Sequence, residues 1–329
     1  MSKSEVDGSD IPLEVWKFTD GKPGHEKQTD GLLHAMAERI SLNVHPVAIP
    51  AKGGFRRFRH WLFGQFPDGK DLPNPDLLVG SGHRLHLAML AARKARGGRL
   101  LVCMKPSLPL SWFDLALVPR HDHPPDTERV LRTRGALTTV RPSSDKDSQS
   151  GLFLIGGPSP HFDWSDEEVA EQVRKVILGS EEEIVDWKLT TSRRTPRAFL
   201  ERLKSAELPN LTIFPVEETS SGWVDDQLAR SGVAWVTEDS VSMVHEALTS
   251  GCLTGLLQLP VKARPSRVAL GILDLTKKEW LTSFAKWDGG DPLRSAPPGF
   301  DEATRCAEWV VDRWFQSRGS KGSSAKTRS

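Results

Sequence analysis

Short apolar runs alternate along the chain with stretches whose apolar residues recur at helical spacing. This alternation predicts an α/β protein with parallel sheets, each strand followed by a helix that crosses back over it. In the first half, strands are predicted at Leu13 to Thr19, Asn43 to Ile49, Asp76 to Val79, Leu100 to Met104 and Leu115 to Val118. Helices are predicted at Gln28 to Ile40 and from about Leu85 to Ala95. The segment Arg141 to Ser150 (RPSSDKDSQS) is polar and without period, which is linker composition near mid-chain.

After it the alternation restarts. Strands are expected at Leu152 to Ile155, Ile184 to Thr190, Leu211 to Phe214, Val233 to Thr237 and Leu253 to Pro260. Helices are expected at Ser165 to Leu178, Pro196 to Lys204, Trp223 to Arg230, Val241 to Thr249, Arg264 to Ile272 and about Asp301 to Phe315. Ser165 followed by Asp166, Glu167 and Glu168 forms an N-cap with an acidic first turn. The expected architecture is two Rossmann-like domains facing a cleft: residues 11–145 on the acceptor side, and 150–317, including the last helix, on the donor side. Residues 1–10 and the basic tail 318–329 are expected to be disordered.

Composition narrows the function classes. The chain has 329 residues, 26% charged and 38% hydrophobic, enough for a large core without staples. With 44 Lys plus Arg against 43 Asp plus Glu, the net charge is +1, so no overall field points to nucleic acid. Cys103, Cys252 and Cys306 are odd in number and widely spaced, against a disulfide framework or a zinc site. The first ten residues lack a signal-peptide core, and no apolar run approaches ~18 residues. A cytoplasmic chain is the expectation, with at most peripheral contact at the inner membrane. Eleven tryptophans with no tyrosine is an unusual balance that the sequence does not explain.

In open parallel sheets ligands bind beyond the carboxyl ends of the strands, so four loops carry the chemistry. The first is Thr19-Asp20-Gly21-Lys22-Pro23-Gly24-His25, leading from a strand into a helix. Gly21 and Gly24 let backbone amides approach an anion, and Asp20 or His25 could serve as general base. The plain alternative is a turn with Asp20 capping and His25 solvated. The second loop, Gly80-Ser81-Gly82-His83, reads either as close packing or as Ser81 and His83 facing a ligand.

The third site pairs Gly156-Gly157-Pro158-Ser159 with Thr190-Thr191-Ser192-Arg193-Arg194-Thr195-Pro196. Hydroxyls followed by two arginines at a helix start supply donors for a diphosphate, or else line an ordinary surface. The fourth, Thr237 to Ala247, is the most specific. Asp239 or Ser240 would cap the helix, leaving the Ser242 and Met243 amides for a phosphate, with Glu246 one turn on for ribose hydroxyls. His121-Asp122-His123 lacks a third ligand at metal spacing. Phe55 to Phe63 (FRRFRHWLF) interleaves basic and aromatic residues, either as a helix half-buried in its own domain or as one docking on an anionic membrane. No G-x-G-x-x-G follows the first strand, against a dinucleotide oxidoreductase.

Four of these motifs together resemble one family. W-x-x-x-DGKPGHEKQ (Trp16 to Gln28), DLLVGSGH (Asp76 to His83), TTSRRTP (Thr190 to Pro196) and TEDSVSMVHEA (Thr237 to Ala247) are similar to the "elongated mitochondria" family, across roughly Val15 to Pro260. That family joins plant mitochondrial-fission factors with bacterial proteins and itself resembles two-domain GT-B glycosyltransferases. The resemblance implies that His25, in the loop from Gly21 to His25, lies near an acceptor, and the expected catalytic residues are His25 and Asp20, either of which could deprotonate the acceptor hydroxyl. It implies that the Asp239 to Glu246 helix holds a nucleotide-diphosphate sugar, with Ser192 and Arg193 facing the donor phosphates. Together with the loop reading, the expected nucleotide-sugar set is Gly21, Gly24, Gly157, Ser192, Arg193, Arg194, Asp239, Ser240, Ser242, Met243 and Glu246. No second glutamate is spaced for a retaining enzyme, so the expectation is a metal-independent inverting transferase. It would need no cofactor beyond the nucleotide sugar as co-substrate, and its acceptor would be a lipid or envelope glycan. The rival implied by the plant relatives is a non-catalytic peripheral adaptor.

Overall fold

The computed structural model describes residues 11–180, 182–208, 210–260, 262 and 267–316. The chain begins β1 (Leu13–Thr19), α1 (Pro23–Ala37), β2 (Leu42–Ala48), α2 (Gly54–Phe63), β3 (Leu77–Ser81), α3 (His86–Arg96), β4 (Arg99–Cys103), β5 (Leu115–Pro119) and β6 (Val130–Thr133). It continues β7 (Asp147–Leu154), α4 (Asp166–Gly179), β8 (Asp186–Thr190), α5 (Arg197–Ser205), β9 (Leu211–Phe214), α6 (Trp223–Arg230) and β10 (Ser231–Thr237). Then come α7 (Val241–Ser250), β11 (Leu253–Leu257), α8 (Arg267–Lys277), β12 (Thr282–Ser283), α9 (Phe284–Asp288) and α10 (Glu302–Trp314). Two compact units result: Met1–Thr139 with Glu302–Ser329, and Val140–Asp301.

In the first unit six parallel strands lie in the order β2-β1-β3-β4-β5-β6. Strand side chains alternate between faces, and here both faces are apolar. Leu13, Val15, Leu77, Val79, Leu101 and Cys103 pack on one side with Leu32 and Met36 of α1. Trp16, Phe18, Leu78, Leu100 and Val102 pack on the other with Ala88 and Met89 of α3. Burial of each such side chain contributes about 1.5–3 kcal/mol, which explains why the strands read as continuous apolar runs.

The second unit repeats the plan with the order β12-β11-β10-β7-β8-β9, again parallel throughout. Phe153, Trp187 and Trp235 fill one face, and Leu152, Leu154, Ala234 and Val236 the other. Several tryptophans act as core volume: Trp16, Trp187 and Trp235 are among the largest fully buried side chains.

Several boundaries differ from those read off the sequence. Helix α1 opens at Pro23 rather than Gln28, because proline suits the first helical turn, where its missing N–H costs nothing. Gly24 and His25 therefore sit in a helix, not a loop. The polar segment Arg141 to Ser150 is not all linker, since β7 starts at Asp147 with an exposed edge before its buried half. Strand β6 escaped the apolar pattern because two of its four residues are polar. Ser165 caps α4 as expected, accepting from the Glu168 amide at 3.2 Å.

The last helix is the main correction to the domain boundaries. Ala303, Cys306, Ala307, Val310 and Val311 of α10 join the core formed by β1 and α1, so the helix belongs to the first unit rather than the second. Its buried Glu302 fixes the point of return, accepting from Arg134 N at 2.8 Å and Nε at 2.6 Å, and from Arg305 Nη2 at 2.6 Å. Residues 1–10 and the tail from 317 lie outside the described residues.

Candidate functional site

Each sheet has one place where the chain reverses its direction of winding, the position at which open parallel sheets commonly take ligands. In the second unit that place lies between β7 and β10, which pair directly. The loop after β7 is drawn onto the loop after β10. Gly156 N donates to Thr237 Oγ1 at 2.8 Å and Gly157 N to Asp239 Oδ2 at 3.1 Å. A β-carbon at Gly156 would meet the Asp239 carboxylate at 2.3 Å, so only glycine allows this approach.

The loop after β8 is stapled to the same place. Ser192 Oγ donates to Gly156 O at 2.9 Å, and Thr195 Oγ1 donates to Ile155 O at 3.1 Å and also to Gly156 O. Arg194 Nη1 donates to Gly157 O at 2.9 Å and Pro158 O at 3.0 Å, while Nη2 meets Asp239 Oδ2 at 2.7 Å. These hydroxyls and this guanidinium are thus committed to holding three loops in register. Arg193, next along, is exposed with no partner among the described residues.

Asp239 does not cap α7, because its carboxylate turns toward Gly157 and Arg194. Ser240 is the N-cap residue, and its hydroxyl makes no capping bond. The first backbone bond into the helix runs from Val244 N to Ser240 O. The amides of Val241, Ser242 and Met243 therefore have no acceptor among the described residues, and all three residues are half-buried. A helix start with three open amides carries the positive end of the helix dipole and three unused donors.

Two acidic residues precede it in the chain. Asp239 Oδ1 is buried with no hydrogen-bond partner among the described residues. Burial pushes the Glu238 carboxyl up, the Leu259 amide on Oε2 at 3.0 Å pulls it down, and the neighbouring Asp239 pushes it up again, to a value of about 7. Glu246, expected to face a ribose, is 1% exposed, on the packed side of α7.

In the first unit the reversal lies between β1 and β3. Asp20, just past β1, accepts the Lys22 amide at 3.3 Å and receives His25 Nδ1 at 3.1 Å on both carboxylate oxygens. The Asp20 side chain is 2% exposed and that of His25 20%, so the carboxylate is buried behind an imidazole that reaches solvent. Nδ1 faces the Asp20 carboxylate, and Nε2 faces no partner among the described residues.

Gly82, past the end of β3, adopts φ +103° beneath the ring, where a β-carbon would come within 2.5 Å of His25. Ser81 Oγ is buried at the same strand end with no hydrogen-bond partner among the described residues. His83 is exposed. The Asp20 and Gly82 loops are distant in the sequence. Their union follows from β1 and β3 being neighbours, with Phe18 registered on Gly80. His121 and Asp122 lie in a short 3-10 turn apart from these loops.

Comparison with known proteins places this geometry in a wider setting. The family described as mitochondrial fission ELM1 matches residues 23–314. No curated protein matches the sequence. Among solved structures, a UDP-GlcNAc 2-epimerase from Methanocaldococcus jannaschii is similar at TM-score 0.54 and 10% identity, over 92% of this chain and 100% of that one. A putative UDP-N-acetylglucosamine 2-epimerase from Listeria monocytogenes is similar at TM-score 0.53 and 13% identity, over 80% of this chain and 82% of that one. An Escherichia coli heptosyltransferase with ADP aligns at TM-score 0.46 and 12% identity, over 93% and 100%. What these likenesses establish is the fold: two Rossmann-like parallel sheets of GT-B type.

Proposed function

The chain belongs to the mitochondrial fission ELM1 family, and from that premise we propose that it is a glycosyltransferase-like binder of a nucleotide-diphosphate sugar. The observation that carries the reading is the start of α7, where three amides stand open at the winding reversal, with the exposed Arg193 in the loop that Arg194 ties to Asp239. A diphosphate is the ligand such a tip suits: the amides and the helix dipole take its oxygens, and the guanidinium adds a charged, forked donor. The fold neighbours at TM-score 0.53 and 0.54, whose names carry UDP-GlcNAc, lend general support.

The chemistry proposed is an inverting displacement. The acceptor oxygen bonds to the anomeric carbon as the bond from that carbon to the diphosphate oxygen breaks, and the diphosphate departs with the electron pair. His25 Nε2 takes the acceptor proton, while Asp20 holds Nδ1–H and stabilises the imidazolium that forms. The departing charge falls on the α7 amides and Arg193, which supply electrostatic stabilisation with no metal required. Arg194, Ser192, Thr195 and Asp239 keep that loop cluster rigid. The acceptor class proposed is a lipid or envelope glycan.

The second reading, a non-catalytic adaptor, draws on the family description itself. A thermal-shift series on the full chain with UDP, GDP, ADP and their sugar conjugates separates the two. A ligand at about 100 times its Kd raises stability by about 2.7 kcal/mol, a displacement of several degrees. A shift in the wild type that is much reduced in Arg193→Ala supports the donor site. No shift with any of these compounds supports the adaptor.

A further inference from the structure

Helix α2 is unlike the other long helices of the first unit, because none of its residues is buried. Phe55, Phe58 and Leu62, at spacing i, i+3, i+7, form one outward stripe, with Phe63 beside it. They are 77%, 43%, 51% and 64% exposed, a dense apolar display for ten residues. Arg56 and Arg59 flank the stripe, both exposed and both without a partner among the described residues. From residue 49 to 65 the chain carries four Lys or Arg and no Asp or Glu, while the whole chain is balanced at 44 to 43.

The opposite face holds the helix in place. Trp61 stacks on Trp112 with centroids 5.3 Å apart, and Lys94 Nζ donates to Leu62 O at 2.9 Å. Arg57 ties the helix start by donating to Pro50 O and Lys52 O at 3.1 and 2.9 Å. The display is therefore a fixed feature of the fold.

We propose that α2 docks the protein on an anionic lipid surface, with the Phe55–Phe58–Leu62 stripe in the headgroup–acyl boundary and Arg56 and Arg59 on lipid phosphates. Charge decides the occupant. A second copy docking through the same face would bring four unpaired guanidinium groups together, whereas an anionic bilayer offers each one a counter-charge and the rings an apolar bed. The helix also starts on the rim that carries Asp20 and His25. Ile49 N donates to Thr19 O at 2.8 Å, so the segment leading into α2 is bonded to the residue before Asp20. A docked α2 would present that rim to material in the membrane. The proposal does not depend on the nucleotide-sugar reading.

Co-sedimentation of the full chain with vesicles tests it, comparing phosphatidylcholine alone with phosphatidylcholine plus phosphatidylglycerol. Binding is expected only to the anionic vesicles, falling steeply as salt is raised. Two double variants, Phe55→Ser with Phe63→Ser and Arg56→Glu with Arg59→Glu, replace exposed side chains. Each should weaken binding at least about tenfold while circular dichroism and melting stay at wild-type values. Absence of binding, equal binding to neutral vesicles, or undiminished binding by both variants would overturn the proposal. So would a wild-type dimer that these variants dissociate in the absence of vesicle binding.

Discussion

Gly82 lies so close under His25 that a β-carbon there would come within 2.5 Å of the imidazole Nδ1, the atom that faces Asp20. The glycine is also held at φ +103°, where other residues are strained. Gly82→Ala is therefore expected to cost about 1–3 kcal/mol and to push the ring off Asp20. Chemical denaturation reads the first effect, and the His25 ring resonances in NMR read the second. A variant with wild-type stability and an unmoved ring would contradict the contact.

On the proposed reaction Asp20 acts through His25, so Asp20→Asn and His25→Ala should differ in kind. On the proposed reaction, His25→Ala removes the base and lowers turnover by about 10²–10⁴-fold, with nucleotide binding intact. Asp20→Asn keeps the ring but loses the carboxylate that fixes its tautomer, and should lower turnover while changing its pH profile. Equal pH profiles in wild type and Asp20→Asn would remove Asp20 from that role.

Glu302 connects α10 to Arg134 and Arg305 from a side chain 1% exposed. Burial pushes its carboxyl up, but the hydrogen bonds from Arg305 and Arg134 outweigh this and leave it below the ordinary 4.5. A lowered native value means the contribution is complete above the unfolded carboxylate's range and fades as the pH falls through it. Glu302→Gln should cost about 3–5 kcal/mol at pH 7 and flatten the acid limb of the stability curve. Equal loss at pH 7 and pH 3 would contradict the pairing.

Glu238 behaves in the opposite sense. Its carboxyl is raised from 4.5 to about 7, so the native state holds a proton that the unfolded chain releases. Stability should fall as the pH rises from about 4.5 to about 7, by up to about 3 kcal/mol from this one group. Urea midpoints at pH 5 and pH 7.5 measure the slope, and Glu238→Gln should reduce it. A slope unchanged by that substitution would refute the assignment.

Much of this architecture was legible because buried parallel strands advertise themselves. Leu13 to Thr19, with Leu13, Val15, Trp16 and Phe18 buried, emerges with the bounds read from its apolar pattern, as do the edge strand Leu211 to Phe214 and the helix Trp223 to Arg230. Helix α10 was equally visible as a helix, but periodicity tells that a face is buried and not against which sheet, so its sequence neighbours misplaced it. The four chemical segments do follow strand ends, although Gly24 and His25 lie inside α1, and their internal bonding follows only from the fold. Arg193 and Arg194 are alike in sequence, and only the fold commits Arg194 to Gly157, Pro158 and Asp239 while leaving Arg193 exposed. The contact between Asp20 and His25 is local in the chain. Its support by Gly82, 57 positions further along the chain, needed the β1–β3 pairing.

The central claim is that the opening amides of α7 receive a diphosphate, and amide NMR on the isotope-labelled full chain addresses those atoms directly. On titration with the nucleoside diphosphate that most raises the melting temperature, the amide signals of Val241, Ser242 and Met243 should move together and saturate. Val241→Pro, which deletes one open amide at a position where proline is tolerated, should weaken binding about tenfold. Saturable binding that leaves those three signals in place and is indifferent to Val241→Pro would contradict the account.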